Sequence, residues 1–483
     1  AARNSVPTEF IRSTANQALN HLVDTSPSPQ QATGIRIVEV TRNSAVVWSR
    51  ATRWPLPNLG DFAEITFAKD ERKGANRNSG AILPADGTAG LQFACPGVRA
   101  EMRVRYHRID GDSLNDPWMA TDWKLVDPES DYSLHNTLTG LKDDSVYEVR
   151  VEARGIGSLE TSSTSAGQFK TLPSPDDAKS VRIAVGTCQE FTDRDGPHGF
   201  DAYRTILKRK TDYFFMAGDV VYYDKLARSN DLAHYHWQRT YGLPTLVHFH
   251  KQIPSYFLKD DHDTYVNDSW PNKKFDWTDA FTFEDGQRIF RQQTGLPTPA
   301  YRTFLLSRDL QIWLLEGRDF RSPNTNPDSP DKSILGKEQK AWLKQTLEKS
   351  SAKYRMILSP TPIIGPDREN KKDNLSNSNF QYEGEEIRQF LKTVPGTFVV
   401  CGDRHWQYHS IDPATKLNEF SVGPISNRHA GGWKKDDFRK DYHQFLRVGG
   451  GYWELTLNYD SGQPKLTGRH LDPYGKETHQ ADW

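Results

Sequence analysis

The stretch SYFLKDDHD (Ser255–Asp263) joins a short run typical of a buried strand to a dense group of charged side chains. Three carboxylates flank His262 directly after the run SYFL. Unpaired negative charges this close together repel one another, so the segment requires more positive charge than its single Lys259 supplies. The ends of the other apolar runs indicate what supplies that charge.

Short apolar runs alternate with amphipathic helical segments over residues 180–483, and this alternation predicts an α/β layered domain. Helices are predicted for GFDAYRTILKRK, KEQKAWLKQTLEKS and GEEIRQFLKT. The predicted strands are VRIAVG (181–186), DYFFMAG (212–218), SYFL (255–258), QIWLLEG (311–317), RMILS (355–359) and TFVVCG (397–402).

The first third of the chain has a different pattern. Residues 1–30 are polar, with one helical-looking piece, and form a predicted N-terminal extension. Short alternating strands such as SAVVWSR and VYEVRVEARG then predict a small antiparallel β-sandwich over residues 31–172. Residues 55–100 interrupt it as a Gly-, Asn- and Ala-rich insertion, and LPSPDDAK (172–179) has the composition of a linker.

The bulk composition excludes several classes of function. With 483 residues, 26% charged residues, a formal net charge of -1 and no long run of one sign, the chain gives no electrostatic case for nucleic acid or an anionic membrane as a partner. It contains no window of eighteen apolar residues, which argues against a membrane span. The first residues, AARNSVPTEF, lack the pattern of an export signal, so the protein is either cytosolic or already processed, and the initial Ala favours processing. Cys95, Cys188 and Cys401 allow one disulfide at most, and burial is the simpler expectation for each.

Polar side chains of metal-binding types follow four of the predicted strands. One such residue alone is more often a turn, a helix cap or a packed side chain. Four successive strands that deliver them to one edge of a sheet predict a metal site in the crevice there. The segments concerned are Thr187-Cys188, Asp219 to Tyr222, Asp260 to Asp263, and Asp403-Arg404-His405.

The motifs GTCQ, GDVVY, DDHD and GDRH, in this order, resemble those of the PhoD-type alkaline phosphatases and phosphodiesterases of the calcineurin-like metallophosphoesterase superfamily. The segment IWLLEGRDFRS is similar to a strand-plus-arginine segment of the same family, and the resemblance covers about residues 34–470. It implies a metallophosphoesterase β-sandwich flanked by helices and preceded by a small all-β, immunoglobulin- or fibronectin-like sandwich domain.

The resemblance also implies the roles of individual residues. Cys188, Tyr222 and His405 would join Asp219 around Fe3+, while Asp261 and Asp403 would face Ca2+ or another divalent ion such as Mg2+, Mn2+ or Zn2+. The chemistry agrees, because thiolate and phenolate suit a trivalent iron and carboxylates suit hard divalent cations. His262 would lie beside the scissile ester as the proton donor.

The expected reaction is hydrolysis of a small-molecule phosphate ester. Metal-bound hydroxide would attack phosphorus in line, and His262 would protonate the leaving alkoxide. The resemblance and the use of calcium further predict a periplasmic or secreted protein, and a monomer is slightly favoured. Two alternatives stay open: a hydrolase of a sulfate or a sugar-linked phosphate on the same scaffold, and a metal-stabilised binding module. A histidine beside the metal carboxylates favours an enzyme.

The site leaves several positions ambiguous. Asp224 stands where the family commonly has Glu, and Tyr223 is adjacent to the candidate ligand Tyr222. Either Asp260 or Asp263 is a candidate for fixing the imidazole of His262. Asp268 is predicted to lie at the surface.

The substrate-binding residues are predicted less sharply. Arg318 follows a strand and is either a phosphate ligand or part of a structural ion pair. Asn427 and Arg428, followed by His429, lie in a Gly-rich loop that is a candidate for substrate contact. Solvated or packing roles are expected for most of His234, His236, His248 and His250, one of which could reach the site, and a surface role is expected for His409.

Overall fold

In the computed structural model, residues 28–69, 78–111, 116–224, 226–274, 280–434, 438–460 and 462–483 are described. Two large sheets enclose one apolar core, and helices cover their outer faces. The predicted helical piece near the N-terminus lies outside the described residues.

The N-terminal strands, numbered in chain order, are short and mostly antiparallel. They are β1 (Ile35–Val38), β2 (Ser44–Arg50), β3 (Thr66–Lys69), β4 (Asn78–Ile82), β5 (Ala100–Arg108), β6 (Met119–Ala120), β7 (Lys124–Val126), β8 (Ser133–Thr139), β9 (Val146–Arg154) and β10 (Ser163–Lys170).

The remaining strands include all six that the sequence predicts. They are β11 (Val181–Gly186), β12 (Tyr213–Ala217), β13 (Ser255–Leu258), β14 (Arg302–Ser307), β15 (Leu310–Leu314), β16 (Tyr354–Ser359), β17 (Thr397–Cys401), β18 (Gln407–Ile411), β19 (Asn418–Ser421), β20 (His443–Arg447), β21 (Tyr452–Asn458), β22 (Lys465–Leu471) and β23 (Glu477–Asp482).

Six α-helices lie among the described residues. They are α1 (Asp201–Lys208), α2 (Asn230–Tyr241), α3 (Pro244–His250), α4 (Phe283–Thr294), α5 (Gly336–Lys349) and α6 (Gln381–Lys392). Within the described residues, no helix combines the length and the apolar character that crossing a bilayer requires.

The layering follows from the two-residue period of the strands. Ile183 and Val185 of β11 enter the core shared by the two sheets, whereas Ala184 faces the helical side. In the second sheet Ile312 of β15 enters the shared core, and Trp313 packs under the helices instead. Strands buried on both faces read as continuous apolar runs, which is why the sequence predicts them. The predicted layered α/β fold class is confirmed.

The two large sheets have the strand orders β23-β22-β21-β11-β12-β13-β1-β2-β8 and β14-β15-β16-β17-β19-β18-β20. The first third of the chain is all-β, as predicted, and β5 with β6, β7, β9 and β10 forms a separate sheet. However, β1 pairs in parallel with β13, so β1, β2 and β8 extend the large sheet of the C-terminal region. This pairing covers an edge that β13 would otherwise expose. The domain boundaries at 31–172 and 180–483 stay a prediction.

The ends of the two large sheets meet where the metal motifs lie. Gly402, directly after β17, donates its N–H to the carbonyl of Ser359 at the end of β16. A Cβ at Gly402 would overlap the carbonyl oxygen of Ala217, the last residue of β12 in the other sheet. Glycine is therefore required for the loops after β12 and β17 to approach each other. Residues from both sheets line one crevice.

Candidate metal centre

Three of the predicted ligands occupy left-handed backbone conformations directly after their strands. The φ angles are 52° at Cys188, 57° at Asp219 and 64° at Asp403. Such conformations cost on the order of 1–3 kcal/mol each in non-glycine residues and accumulate where a site requires them. Here each one turns the chain sharply at the crevice.

The carboxylates converge into two overlapping groups that have the spacing of a metal site. One ligand atom from each of Asp219, Asp260 and Asp403 lies within 4.8 Å of the others, and the same holds for Asp219, Asp261 and His262. Oδ1 of Asp219 and Oδ2 of Asp260 are buried and have no hydrogen-bond partner among the described residues. A buried carboxylate oxygen without a partner is costly, and a bound cation would remove that cost. The residues at the crevice therefore fit metal ions.

The electrostatics of the cluster favour the same conclusion. Burial raises the pKa of Asp219 well above its usual range; the His262 imidazole opposes this shift, and the Asp261 carboxylate adds to it. Burial would also raise the pKa of Asp261, but the Arg318 guanidinium and His262 hold it below its usual range. Asp261 is thus stabilised as an anion by the protein itself, whereas Asp219 needs a further positive charge to ionise.

Softer donors lie beside Asp219. Sγ of Cys188 is 3.5 Å from Oδ2 of Asp219. Burial raises the pKa of the Cys188 thiol and of the Tyr222 phenol well above their usual ranges, so both groups ionise only beside a cation. Burial lowers the pKa of His405 to about 2, which keeps its imidazole in the neutral form that a metal ligand requires.

His262 is fixed from two sides. Its Nδ1 lies 2.9 Å and 2.8 Å from the two carboxylate oxygens of Asp224, and its ring stacks on Tyr222 with centroids 4.4 Å apart. Burial alone would lower the pKa of His262, but Asp224 and then Asp261 raise it well above its usual range. With Nδ1–H donated to Asp224, Nε2 is the ring nitrogen left to carry a proton elsewhere.

Asp260 and Asp263 both have other partners than the imidazole. Asp263 accepts hydrogen bonds from the backbone N–H groups of Val220 at 2.9 Å and Asp260 at 2.7 Å. It thereby ties the loop that carries Asp219 to the DDHD segment. Asp260 accepts from Nε of Arg318 at 2.6 Å. The residue that holds the imidazole is Asp224.

Arg318 is fully buried behind the carboxylates. Besides its bond to Asp260, its Nη1 donates to the carbonyl of Ser269 at 3.1 Å, and its Nη2 lies 3.7 Å from Oδ2 of Asp261. These are the contacts of the structural ion pair that the sequence left open.

The loop after β19 carries the other predicted substrate contacts. Oδ1 of Asn427 accepts from the N–H of Gly450 at 3.0 Å, so this side chain anchors the loop. Arg428 is exposed. The next residue, His429, contacts the centre: its Nε2 is 3.0 Å from the Tyr222 hydroxyl, and its Nδ1 is 2.7 Å from Oδ2 of Asp193.

Asp224, His429 and Asp193 are therefore contributions to the site that the sequence did not assign. Asp224 had a signal, because it lies two residues past Tyr222 in the second motif. His429 was only one member of a candidate loop, and nothing near Asp193 indicates a contact with a histidine more than two hundred residues away.

Other positions are now defined. Tyr223 is fully buried, and its hydroxyl accepts from Nε1 of Trp237 at 2.6 Å. Asp268, predicted at the surface, is half-buried, and its backbone N–H donates to Oδ2 of Asp261 at 2.6 Å. The surface role expected for His409 is wrong: its ring is buried and stacks on Phe420, because β18 lies inside the second sheet.

The remaining histidines before the third motif follow the packing expectation in part. His236 and His250 are buried, and Nδ1 of His250 lies 2.8 Å from the Ser255 hydroxyl. The three cysteines are all buried and unpaired.

Comparison with known proteins gives a consistent result. Alkaline phosphatase D of Bacillus subtilis (strain 168) is 23% identical over 385 residues, a match that covers 67% of this chain and 62% of that protein, which is less than two thirds of its length. A structure of PhoD shares the fold at a TM-score of 0.69 and 18% identity, covering 95% of this chain and 90% of the other.

The purple acid phosphatase of yellow lupin (Lupinus luteus) seeds shares the fold at a TM-score of 0.61 and 11% identity, covering 93% of this chain and 73% of the other. The PhoD-like phosphatase family matches residues 183–448, which contain all four metal motifs and more than half of the chain. The chain belongs to the PhoD-like phosphatase family.

Proposed function

We propose that the protein is a metal-dependent phosphoric ester hydrolase with alkaline phosphatase or phosphodiesterase activity. The observation that carries the proposal is the pair of buried carboxylate oxygens of Asp219 and Asp260 that have no hydrogen-bond partner among the described residues, next to an imidazole that Asp224 holds. A purely structural cation cage has no use for such a histidine, whereas an ester hydrolase needs a proton donor beside its metals.

The donor set supports two kinds of cation. Cys188, Asp219, Tyr222 and His405 would hold Fe3+, since thiolate and phenolate stabilise a trivalent ion. Asp219, Asp261 and Asp403 would hold Ca2+, or another divalent ion such as Mg2+, Mn2+ or Zn2+. When bound, these ions lower the pKa of a coordinated water and polarise the phosphoryl oxygens.

The chain itself supplies the proton transfer and the orientation. Hydroxide, formed when a water releases a proton to solvent, attacks phosphorus in line. The ester P–O bond breaks, and His262 gives the proton on Nε2 to the leaving alkoxide. Asp224 fixes the ring through Nδ1 and keeps the imidazole protonated. Asp263 fixes the position of the Asp219 loop relative to His262. Such positioning is worth several orders of magnitude in rate.

The substrate side of the proposal rests on exposure and charge. The substrate is a small-molecule phosphate ester, and Arg428 contacts it from the rim while Asn427 anchors the rim loop. Arg318 acts indirectly, by orienting Asp260 and Asp261.

Metal analysis combined with two chromogenic esters tests the proposal. Hydrolysis of p-nitrophenyl phosphate, of bis-p-nitrophenyl phosphate or of both, by protein that contains iron and a divalent ion, is expected. The ratio of the two rates separates a monoesterase from a diesterase. If metal-loaded protein hydrolyses neither ester, the proposed activity is refuted. Parallel assays with sulfate esters and sugar phosphates would then identify the alternative hydrolase.

The cellular setting is part of the same proposal. A calcium-dependent centre is suited to the periplasm or the medium, where calcium is abundant, and a monomer suffices for a site built from one chain. Cell fractionation and size-exclusion chromatography test these two points.

A further inference from the structure

Three arginines lie together near the candidate metal centre. Arg194, Arg239 and Arg428 lie close enough for the guanidiniums of Arg239 and Arg428 to lower the pKa of Arg194, after the larger effect of burial. None of the three forms an ion pair with an acidic side chain of the described residues. Three like charges gathered with no ion-paired acid are unfavourable unless an anion joins them.

Two of the three side chains, those of Arg194 and Arg239, are held by aromatic rings. The Arg194 guanidinium lies 4.2 Å from the ring centroid of Phe191 and 5.1 Å from that of Phe93, and its Nη1 donates to the Phe191 carbonyl at 3.0 Å. The Arg239 guanidinium lies 4.5 Å from the Phe191 ring. Cation–π contacts of this kind fix a guanidinium without neutralising it.

This cluster contains guanidinium N–H groups that are free to donate further hydrogen bonds. Arg239 is only 4% exposed, and its Nε is buried without a hydrogen-bond partner among the described residues. Nε of Arg194 is in the same state. Arg194 is half-buried and Arg428 is exposed, so these two are open to a ligand while Arg239 lies behind them.

The nearby acids are already occupied. The Asp193 carboxylate bonds to Nδ1 of His429 at 2.7 Å. The Glu190 carboxylate accepts from the N–H of Thr192 at 3.2 Å and caps that turn. Burial lowers the pKa of Arg239, and Tyr235 and then Glu190 oppose this shift, so Glu190 offsets part of the charge of Arg239 without forming an ion pair with it.

Chain connectivity puts the cluster next to the reacting groups. Arg194 directly follows Asp193, and Arg428 directly precedes His429. Asp193 and His429 contact each other, and Nε2 of His429 lies 3.0 Å from the Tyr222 hydroxyl. The cluster therefore adjoins, along the chain, the pair that contacts the candidate ligand Tyr222.

We propose that Arg194 and Arg428, backed by Arg239, form an anion subsite for a second phosphate group of the substrate. The inference rests on the proposed function in placing the reacting phosphate at the metals. It adds a substrate class: phosphate esters in which a short, partly apolar linker carries a second anionic phosphate. The linker would pass the rings of Phe93 and Phe191.

A matched substrate pair tests the subsite. Release of phosphate from propyl phosphate is compared with that from propane-1,3-diol bisphosphate and its four- to six-carbon homologues. A bisphosphate carries two phosphates that can react, which alone raises its kcat/KM about twofold. In the unmodified holoenzyme at least one bisphosphate should exceed the monophosphate in kcat/KM by roughly tenfold or more after this statistical factor is removed. In the Arg194→Gln/Arg428→Gln variant the ratio of the bisphosphate kcat/KM to the monophosphate kcat/KM should fall to about the twofold statistical factor. Arg428→Gln alone, an exposed substitution that does not threaten folding, should lower this ratio to an intermediate value.

Arg204→Gln is the matched control. Arg204 is exposed, pairs with Asp201 on α1 at 3.6 Å and has no contact with the centre, so the ratio should stay unchanged. Equal ratios in the unmodified and double-variant enzymes, or no preference for any bisphosphate, would overturn the proposal.

Calorimetric binding separates failure of the subsite from failure of the proposed function. The holoprotein is titrated with methylphosphonate and with the bisphosphonate analogues of the same linkers. If no ester is hydrolysed but a bisphosphonate binds roughly tenfold tighter than methylphosphonate, and the double variant loses this gain, the subsite stands while the hydrolase proposal fails. A gain that is absent, or that survives both substitutions, refutes the subsite.

Discussion

The contact between Asp224 and His262 permits a quantitative test of the proton donor. Asp224→Asn keeps the shape of the side chain and removes its charge. A charge-assisted hydrogen bond contributes about 1.5–3 kcal/mol and a neutral one about 0.5–1.5 kcal/mol. The difference of about 1–1.5 kcal/mol corresponds to about one unit in the pKa of His262. The two contacts of 2.9 Å and 2.8 Å, to a carboxylate only 31% exposed, make this pair a strong one.

The sign of the effect follows from the direction of the pKa shift. Asp224 raises the pKa of His262, so the protonated, donating form is present at low pH and is lost as the pH rises through that pKa. In Asp224→Asn the alkaline limb of the kcat/KM profile should move to lower pH by about one unit. The measurement is a pH series with p-nitrophenyl phosphate, with iron and calcium contents determined for the same preparations.

The control uses a carboxylate–histidine pair outside the centre. Asp201 lies 3.2 Å from Nε2 of His198, and Asp201→Asn should leave the limb in place. An unmoved limb in Asp224→Asn with full metal content would show that Asp224 does not act on the proton donor. Loss of metal in that variant would make Asp224 a ligand instead.

Three further outcomes are expected. Asp219→Ala should lose bound iron and divalent metal in elemental analysis, whereas His262→Ala should keep both and lose about 10²–10⁴-fold in kcat; equal metal loss would make His262 a ligand. Tyr222→Phe should abolish the visible phenolate-to-iron absorption band of the iron-loaded protein, and a persisting band would remove Tyr222 from the ligand set. Arg318→Leu should lower the free energy of unfolding in urea by about 3–5 kcal/mol, because it leaves Asp260 buried without its partner; a change below about 1 kcal/mol would contradict that pairing.

The strands that carry the motifs were predictable because burial on both faces leaves a continuous apolar signal. β11 and β13 match the predicted runs residue for residue, and β12 lies inside its predicted range. The parallel pairing of β1 with β13 could not be predicted in this way, because no local sequence pattern indicates it. Pairing depends on which edge of a sheet is open, and neither strand alone encodes that. A boundary drawn from composition therefore separates strands that share one sheet.

The residues of the site likewise fall into a group that the sequence reveals and a group that it does not. Donor types at strand ends are local features, so Cys188, Asp219 and Asp403 stand out in the sequence. The side chains that orient these groups come from elsewhere in the chain. Asp224 reaches His262 across 38 positions, and His429 reaches Tyr222 across 207. A carboxylate or an imidazole in a loop has many ordinary roles, and only the folded arrangement selects one.

The placement of the carboxylates explains why the candidate metal centre lies where the two sheets meet and why like charges repel one another there. Asp219 and Asp261 follow strands of one sheet and Asp403 follows a strand of the other. Without cations, like charges would repel across the line where Gly402 brings the sheet ends together. Bound cations would instead allow these carboxylates to hold the ends of the two sheets together at the proposed reaction site. Apolar side chains would pack there at lower cost, so the retained charges mark the crevice as a site kept for function.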